Sequence, residues 1–210
     1  NRRAVDLARE SAGDGTWVAG DLGPTGKFFP PMGDATEERL EEVYRQQVGQ
    51  LADAGVDLIS IETMYDVREA LAAVRAAREV DLPVLASMTF ERRRRGFFTR
   101  VGNRVGPSLR TLGEAGADAV GFNCSIESEP MVDLVVEAAA EVDLPLVAQP
   151  NAGQPRATAD GVVYDADAAT FVADLIRMVE AGARIVGGCC GTDPSFILAA
   201  RNALDSLDAA

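Results

Sequence analysis

A short phrase recurs along this chain and limits what it can fold into. It reads Ala-Asp-Ala-Gly-Val-Asp-Leu-Ile-Ser at 52–60, Gly-Glu-Ala-Gly-Ala-Asp-Ala-Val-Gly at 113–121 and Val-Glu-Ala-Gly-Ala-Arg-Ile-Val-Gly at 179–187. A looser copy, Arg-Glu-Val-Asp-Leu-Pro-Val-Leu-Ala-Ser, occupies 78–87. In each tight copy the Ala-Gly pair suits the end of a helix, because glycine closes a helix in a backbone region other residues avoid. The apolar run behind it suits a strand buried on both faces.

Six such runs are legible: 17–20, 58–61, 84–88, 119–122, 146–148 and 185–187. Helical patterns separate them at 36–54, 66–79, 106–115, 129–141 and 165–181, and a last one follows at 194–208. Alternation of this kind leads to a parallel sheet, either doubly wound or closed as a (β/α)8 barrel. The repeated lead-in favours the barrel. Eight strands make a closed barrel, and six are visible. The chain opens at Asn1 with a helical segment, 1–13, of the kind that follows a strand. The expectation is therefore a single domain over 1–210 of (β/α)8 TIM-barrel type, lacking its first two strands and one helix. A six-stranded remnant would expose two sheet edges and an apolar interior, and is expected to need dimerisation, swapping or a partner segment.

Composition narrows the chemistry. The chain has 210 residues, 47% hydrophobic and 25% charged, enough for one sizeable core. Its net charge of -13 argues against nucleic acid as a partner. No apolar run approaches the roughly 18 residues that suggest a membrane span, and no signal peptide is apparent. Three cysteines are too few for a disulfide framework, so a cytoplasmic protein is expected. There is no histidine, which removes a His base, a Ser-His-Asp triad and His metal ligands.

In parallel αβ folds the chemistry gathers at the C-terminal ends of the strands. Asp21 follows the first run, Glu62 the second, Asn123-Cys124-Ser125 the fourth, Gln149-Pro150-Asn151 the fifth and Cys189-Cys190 the sixth. All three cysteines thus fall at strand ends. They can be small buried hydrophobes, a strained vicinal disulfide between Cys189 and Cys190, or metal ligands. As ligands, three thiolates select a soft tetrahedral ion, above all zinc, with a fourth position open. Three anionic sulfurs over-neutralise the ion. It then activates water poorly but can bind a further thiol and keep it nucleophilic. Alkyl transfer to a thiol is the reaction this chemistry suits.

In these residues the chain resembles the homocysteine S-methyltransferase family. That family includes the homocysteine-binding domain of cobalamin-dependent methionine synthase and betaine–homocysteine methyltransferase. The likeness runs over 1–205. It is carried by GDLGPTG (20–26), DLISIETMYDVREA (57–70), LASMTF (85–90), GFNCS (121–125), QPNAG (149–153) and GGCCGTDP (187–194), with GDLGPTG and ASMTF closer to the methionine synthase branch. The resemblance implies a catalytic zinc on Cys124, Cys189 and Cys190, with homocysteine thiolate as fourth ligand. It implies that Asn151 fills that position without substrate and that Glu62 binds the substrate amino group. Asp21 and Asn123 are expected to line the substrate pocket with them. The product would be methionine.

One departure is large. The family's first strand carries an Asp-Gly-x-x-Gly-Thr motif that contributes to the pocket, and neither it nor a second strand is present here. Family members take methyl from methylfolate through cobalamin, from betaine or from S-methylmethionine. A corrinoid or folate donor would have to come on a separate protein or another segment. Two alternatives stand beside the enzyme reading. One is a methyltransferase for another thiol or for a corrinoid protein; the other is a catalytically incomplete zinc-binding fragment that needs a partner chain. Arg92–Arg95, with Arg100 and Arg104, lie in the loop after the third visible strand. They read as a solvated loop paired with the acidic surface, or as a docking patch for an anionic donor or an acidic corrinoid protein.

Overall fold

The repeated Ala-Gly phrase does in three dimensions what its chemistry asks. Helices end on Ala54, Ala115 and Ala181, and the next residues, Gly55, Gly116 and Gly182, take φ of 86°, 108° and 117°. That turn sends the chain directly into the following strand. The aspartate two residues later then clamps the preceding strand. Asp57 Oδ2 accepts the Val18 N–H at 2.6 Å, and Asp118 Oδ2 accepts the Val84 N–H at 2.8 Å. In the third copy this position is Arg184, which has no carboxylate to offer.

The computed structural model describes residues 1–159 and 161–208. The helices are α1 (Arg2–Ala12), α2 (Glu37–Asp53), α3 (Val67–Ala77), α4 (Val105–Glu114), α5 (Ser128–Ala139), α6 (Ala168–Glu180) and α7 (Pro194–Asp208). The strands are β1 (Ala19–Leu22), β2 (Leu58–Met64), β3 (Val84–Met88), β4 (Glu91–Arg93), β5 (Gly96–Phe98), β6 (Ala119–Glu127), β7 (Leu146–Asn151), β8 (Arg156–Thr158), β9 (Gly161–Val163) and β10 (Ala183–Val186). Six of them form one parallel sheet in the order β1-β2-β3-β6-β7-β10.

That order follows the chain without a switch point. Parallel crossovers are almost always right-handed, so an unswitched order puts every connecting helix on one face. The packing agrees, because each helix touches the next along the chain from α1 to α7. This is the winding of a TIM-type barrel and not of a doubly wound sheet. Among the described residues the sheet is an open arc, with β1 and β10 at its edges.

The two faces differ in chemistry. On the helix side lie Leu22, Ile59, Ile61, Val84, Ala86, Met88, Val120, Phe122 and Ala148, all fully buried. Phe122 meets Phe90 edge-on at 6.1 Å. The inner face is the one that a closed barrel would enclose. It carries Asp21, Ser60, Glu62, Ser87, Asn123 and Gln149 toward the strand C-termini, and Leu58, Leu85, Val147 and Ile185 nearer the other end. The interior expected to be apolar is thus polar where chemistry would occur.

Two further differences from the sequence reading have plain causes. The first strand begins at Ala19, and Trp17 is 80% exposed; an aromatic beside an apolar run imitates strand patterning without being buried. The arginine run forms an antiparallel hairpin, β4–β5, and a second hairpin, β8–β9, follows β7. Strands of three residues are too short to show periodicity. No helix among the described residues is long and apolar enough to cross a membrane.

Gly55 has nothing within 4 Å of the place a Cβ would take, so its need for glycine is purely conformational. Gly55→Ala should lower unfolding free energy by about 1–2 kcal/mol. Gly49→Ala, equally open but inside α2, should raise it by up to about 1 kcal/mol. Denaturant titration of the two variants checks the pair.

Candidate active site and metal centre

Two irregularities in the sheet build the site. The β2–β3 register shifts between Ile61 and Met64, and the β6–β7 register shifts between Asn123 and Glu127. Such bulges turn side chains away from ladder positions. The shifted segments hold Glu62-Thr63 and Cys124-Ser125-Ile126. Thr63, Cys124 and Ser125 are also the non-glycine residues of left-handed backbone among those described, with φ of 63°, 60° and 66°. Such conformations persist only where the surroundings enforce them.

Asn123 does much of the enforcing. It is fully buried. Its Oδ1 accepts the Thr63 N–H at 2.7 Å, and its Nδ2 donates to Thr63 Oγ1 at 2.9 Å and Glu62 Oε2 at 3.2 Å. The same nitrogen lies 3.9 Å from Cys189 Sγ. Ser60 Oγ donates to the other Glu62 oxygen at 2.9 Å. One amide therefore joins the end of β2, the end of β6 and the cysteine loop after β10.

That loop is laced to the end of β7. Cys189 N–H donates to Pro150 O at 2.9 Å, Ala152 N–H to Cys190 O at 2.9 Å and Cys190 N–H to Asn151 Oδ1 at 3.2 Å. Thr192 Oγ1 closes the turn onto Cys189 O at 2.7 Å. The glycines in VGGCCGT have different duties. At Gly191, with φ of 83°, a Cβ would stand 2.2 Å from Cγ of Tyr164; at Gly188 it would stand 2.4 Å from the Thr192 methyl. Gly187 has no neighbour nearer than 3.7 Å.

The outcome is that the three cysteine sulfurs lie within 4.8 Å of one another, with Cys124 and Cys190 Sγ 3.7 Å apart. All three thiols are free, so the vicinal disulfide is not formed. Neither are they core residues: Cys124 and Cys189 are half-buried and Cys190 is exposed. Their protons interact strongly. A hydrogen bond from Cys189 is the main reason the Cys124 thiol is drawn down to about 5, and Asn151 adds to it. The same bond, with burial behind it, pushes Cys189 well up. Sulfurs this close cannot all ionise without a cation between them. A soft divalent ion would make all three thiolates at once, so the donor set fits zinc.

The carboxylates stand beside this cluster. Burial is the chief cause that raises the Glu62 pKa, and the charges of Asp21 and Cys124 raise it further while Ser60 opposes. Asp21 is paired to Ser60 across β1–β2 and is raised by partial desolvation. The structure thus brings Glu62, Asn123, Asn151 and the three cysteines together through direct contacts. It sets Asp21 one strand away, within electrostatic reach of Glu62. Sequence reasoning did not find Tyr164, which stacks over Gly191; burial first, then the Cys190 sulfur, raises its phenol. The nearby VVYDAD segment carries no signal that would single it out. In the arginine hairpin, Arg92 and Arg93 pair with Asp133 and Glu91, as a solvated loop against the acidic surface would. Arg94 and Arg95 project at its exposed tip.

Comparison with known proteins agrees with this geometry. A homocysteine S-methyltransferase family model matches residues 1–204, and the chain belongs to that family. It is 30% identical over 190 residues to methionine synthase of Mycobacterium tuberculosis (strain ATCC 25618 / H37Rv), covering 86% of this chain and 15% of that protein. Against methionine synthase of Mycobacterium leprae (strain TN) it is 28% identical over 210 residues, covering 94% and 17%. The chain therefore spans less than a fifth of either synthase. Among solved structures it resembles the homocysteine methyltransferase MmuM from Escherichia coli in its apo form, with a TM-score of 0.72, 26% identity, and coverage of 95% of this chain and 67% of that one. The same Escherichia coli protein is also solved in a metallated form, at a TM-score of 0.72 and 25% identity over 96% of this chain and 66% of that one.

Asn123→Ala would leave the Thr63 amide and one Glu62 oxygen without their partner. It should cost about 1–3 kcal/mol of stability, read by denaturant titration.

Proposed function

We propose that this chain binds homocysteine through a zinc ion on Cys124, Cys189 and Cys190 and presents its sulfur for methylation to methionine. The observation that carries the reading is the convergence of three free thiols, from two separated strand ends, onto a space one ion can fill. Zinc bound there would take the substrate thiolate as its fourth ligand and hold it deprotonated at neutral pH.

The chain's own residues supply the rest. Glu62 faces the same end of the sheet as the cysteines, and its carboxylate suits the substrate ammonium by charge and hydrogen bonding. Asn123 holds that carboxylate in place through Nδ2. Asn151 fixes the Cys190 amide, which keeps both neighbouring sulfurs turned toward one point. With substrate absent, the Asn151 side-chain oxygen would serve as a stand-in ligand. Asp21 adds negative charge on the amine side. The methyl group would be attacked in line by the substrate sulfur. The donor group, corrinoid or folate, would be carried by another part of a longer protein or by a separate corrinoid protein. The small share of the mycobacterial synthases that this chain spans is consistent with that.

Zinc content by mass spectrometry should be one per chain and fall below about a tenth of that in Cys124→Ser, Cys189→Ser or Cys190→Ser. Adding homocysteine should release a proton and place a new sulfur in the zinc-edge X-ray spectrum. Zinc without a new sulfur would overturn the homocysteine reading and leave the other-acceptor and incomplete-fragment readings standing. Glu62→Gln should weaken homocysteine binding by about 10–100-fold without loss of zinc.

The pH dependence has a definite sign. Glu62 must be ionised to pair with an ammonium, and its pKa lies above the ordinary 4.5. The share of affinity that Glu62 contributes should be full above that raised value and be lost as pH drops through it, sooner than for an unperturbed glutamate. This comes on top of the steady decline that thiol proton release imposes on wild type and Glu62→Gln alike. Isothermal titration across acidic pH, compared with Glu62→Gln, measures the shift.

A further inference from the structure

A second glutamate lies beneath the site, and neither the metal nor the substrate reading uses it. Glu69 is in the first turn of α3, 1% exposed. At this helix position a glutamate commonly reaches back to the N-cap. Here Asp66 Oδ1 accepts the Arg68 N–H at 3.0 Å and Asn103 Oδ1 accepts the Val67 N–H at 3.1 Å, so the cap is made without Glu69. Glu69 turns instead to the loop after β1. Its Oε1 accepts the Thr25 N–H at 2.7 Å, the Thr25 hydroxyl at 2.6 Å and the Tyr44 hydroxyl at 3.0 Å.

Tyr44, itself 1% exposed, extends the network. Its oxygen lies 3.2 Å from Gly23 O and 4.0 Å from Met64 Sδ. Thr25 Oγ1 in turn accepts the Lys27 N–H at 3.3 Å. Glu69 Oε2 is buried with no protein partner. A carboxylate in that position is costly, and a loop that needed only to be closed could use a neutral side chain.

The location suggests what the cost serves. Leu22 pairs with Ile61, so Gly23 leaves the sheet directly opposite Glu62. The loop from Gly23 to Lys27 therefore forms a wall beside Glu62, directly after Asp21 and Leu22 in the chain. On the other side Met64, the residue after Thr63, is tied through its carbonyl to the Thr89 N–H at 2.7 Å. Glu69 and Tyr44 pull the β1 exit loop and the β2 end together from below, while Asn123 pins Thr63 from the side.

We infer that Glu69 is a positioning residue that sets the wall formed by Gly23–Lys27 against Glu62, and so governs affinity for the amino-acid end of the substrate. This rests on the proposed homocysteine reading. Charge-assisted bonds are the strong kind, and one carboxylate oxygen with three donors gives the loop a single well-defined seat.

The test joins a readout that needs no substrate to one that does. In Glu69→Ala, hydrogen exchange of the Thr25 and Lys27 amides should quicken at least about tenfold, while β6 and β7 stay protected. Homocysteine Kd, and KM where turnover is measured, should rise about tenfold with zinc content unchanged and kcat within about twofold. Thr25→Val, which keeps the amide donor and loses the hydroxyl, should give a smaller shift of the same kind and serves if Glu69→Ala does not fold. Thr25→Ser restores the hydroxyl and should behave as wild type. Unchanged loop exchange in both Glu69→Ala and Thr25→Val would overturn the inference, as would faster exchange with unchanged homocysteine affinity. If the wild-type protein itself fails to bind homocysteine, the proposed function falls, and the exchange data still decide whether Glu69 seats the loop.

Discussion

The site depends on one buried amide. Asn123 has two donor hydrogens and an acceptor oxygen in a place closed to water, and it uses them on Thr63 and Glu62 beside Cys189. A buried amide without partners would be costly, so the local structure is stable only when those groups are in reach. This holds Thr63 in a left-handed conformation and sets the β2 bulge that aims Glu62 inward. Cys124, the next residue in the chain, takes its own left-handed conformation in the β6 bulge, beside the cysteines of the loop after β10. Glu62 and the cysteine cluster are thus tied to the same side chain.

Strain and charge are concentrated on this end of the sheet, and the opposite face is uniformly apolar. The helix-side layer of Ile59, Ile61, Val84, Val120 and Phe122 is fully buried and keeps the strands parallel and in register. Against that rigid layer, bulges and left-handed residues can be tolerated at the strand ends. The thiols show the electrostatic side of the arrangement. One is drawn toward its charged form at about 5 while its neighbour is pushed the other way, because a hydrogen bond between adjacent sulfurs favours one thiolate and one thiol over two thiolates.

Much of this was legible beforehand. Each of the six strands and seven helical segments falls within a few residues of its sequence position, because the Ala-Gly caps and apolar runs are local signals. The cysteines, Glu62, Asn123 and Asn151 were visible as residues at strand ends. The hairpins β4–β5 and β8–β9 were not, since three-residue strands have no period to detect. Tyr164 was missed for a different reason: its relation to Gly191 and Cys190 crosses from one loop to another and leaves no local pattern. Glu69 was read only as part of a motif, although its bonds reach across more than forty residues to Thr25.

The sequence by itself determined the alternation of strands and helices, the positions where the chain turns, and the kind of chemistry three thiols can support without histidine. These follow from local backbone preferences and from the nature of the side chains. Only the tertiary structure decided that the strand order is unswitched, that the inner face is polar at one end, and that three sulfurs meet within 4.8 Å. Those facts depend on contacts between residues far apart in the chain. Bulge register, left-handed turns and the bonds of one buried asparagine settle them, and each exists only once the strands are side by side.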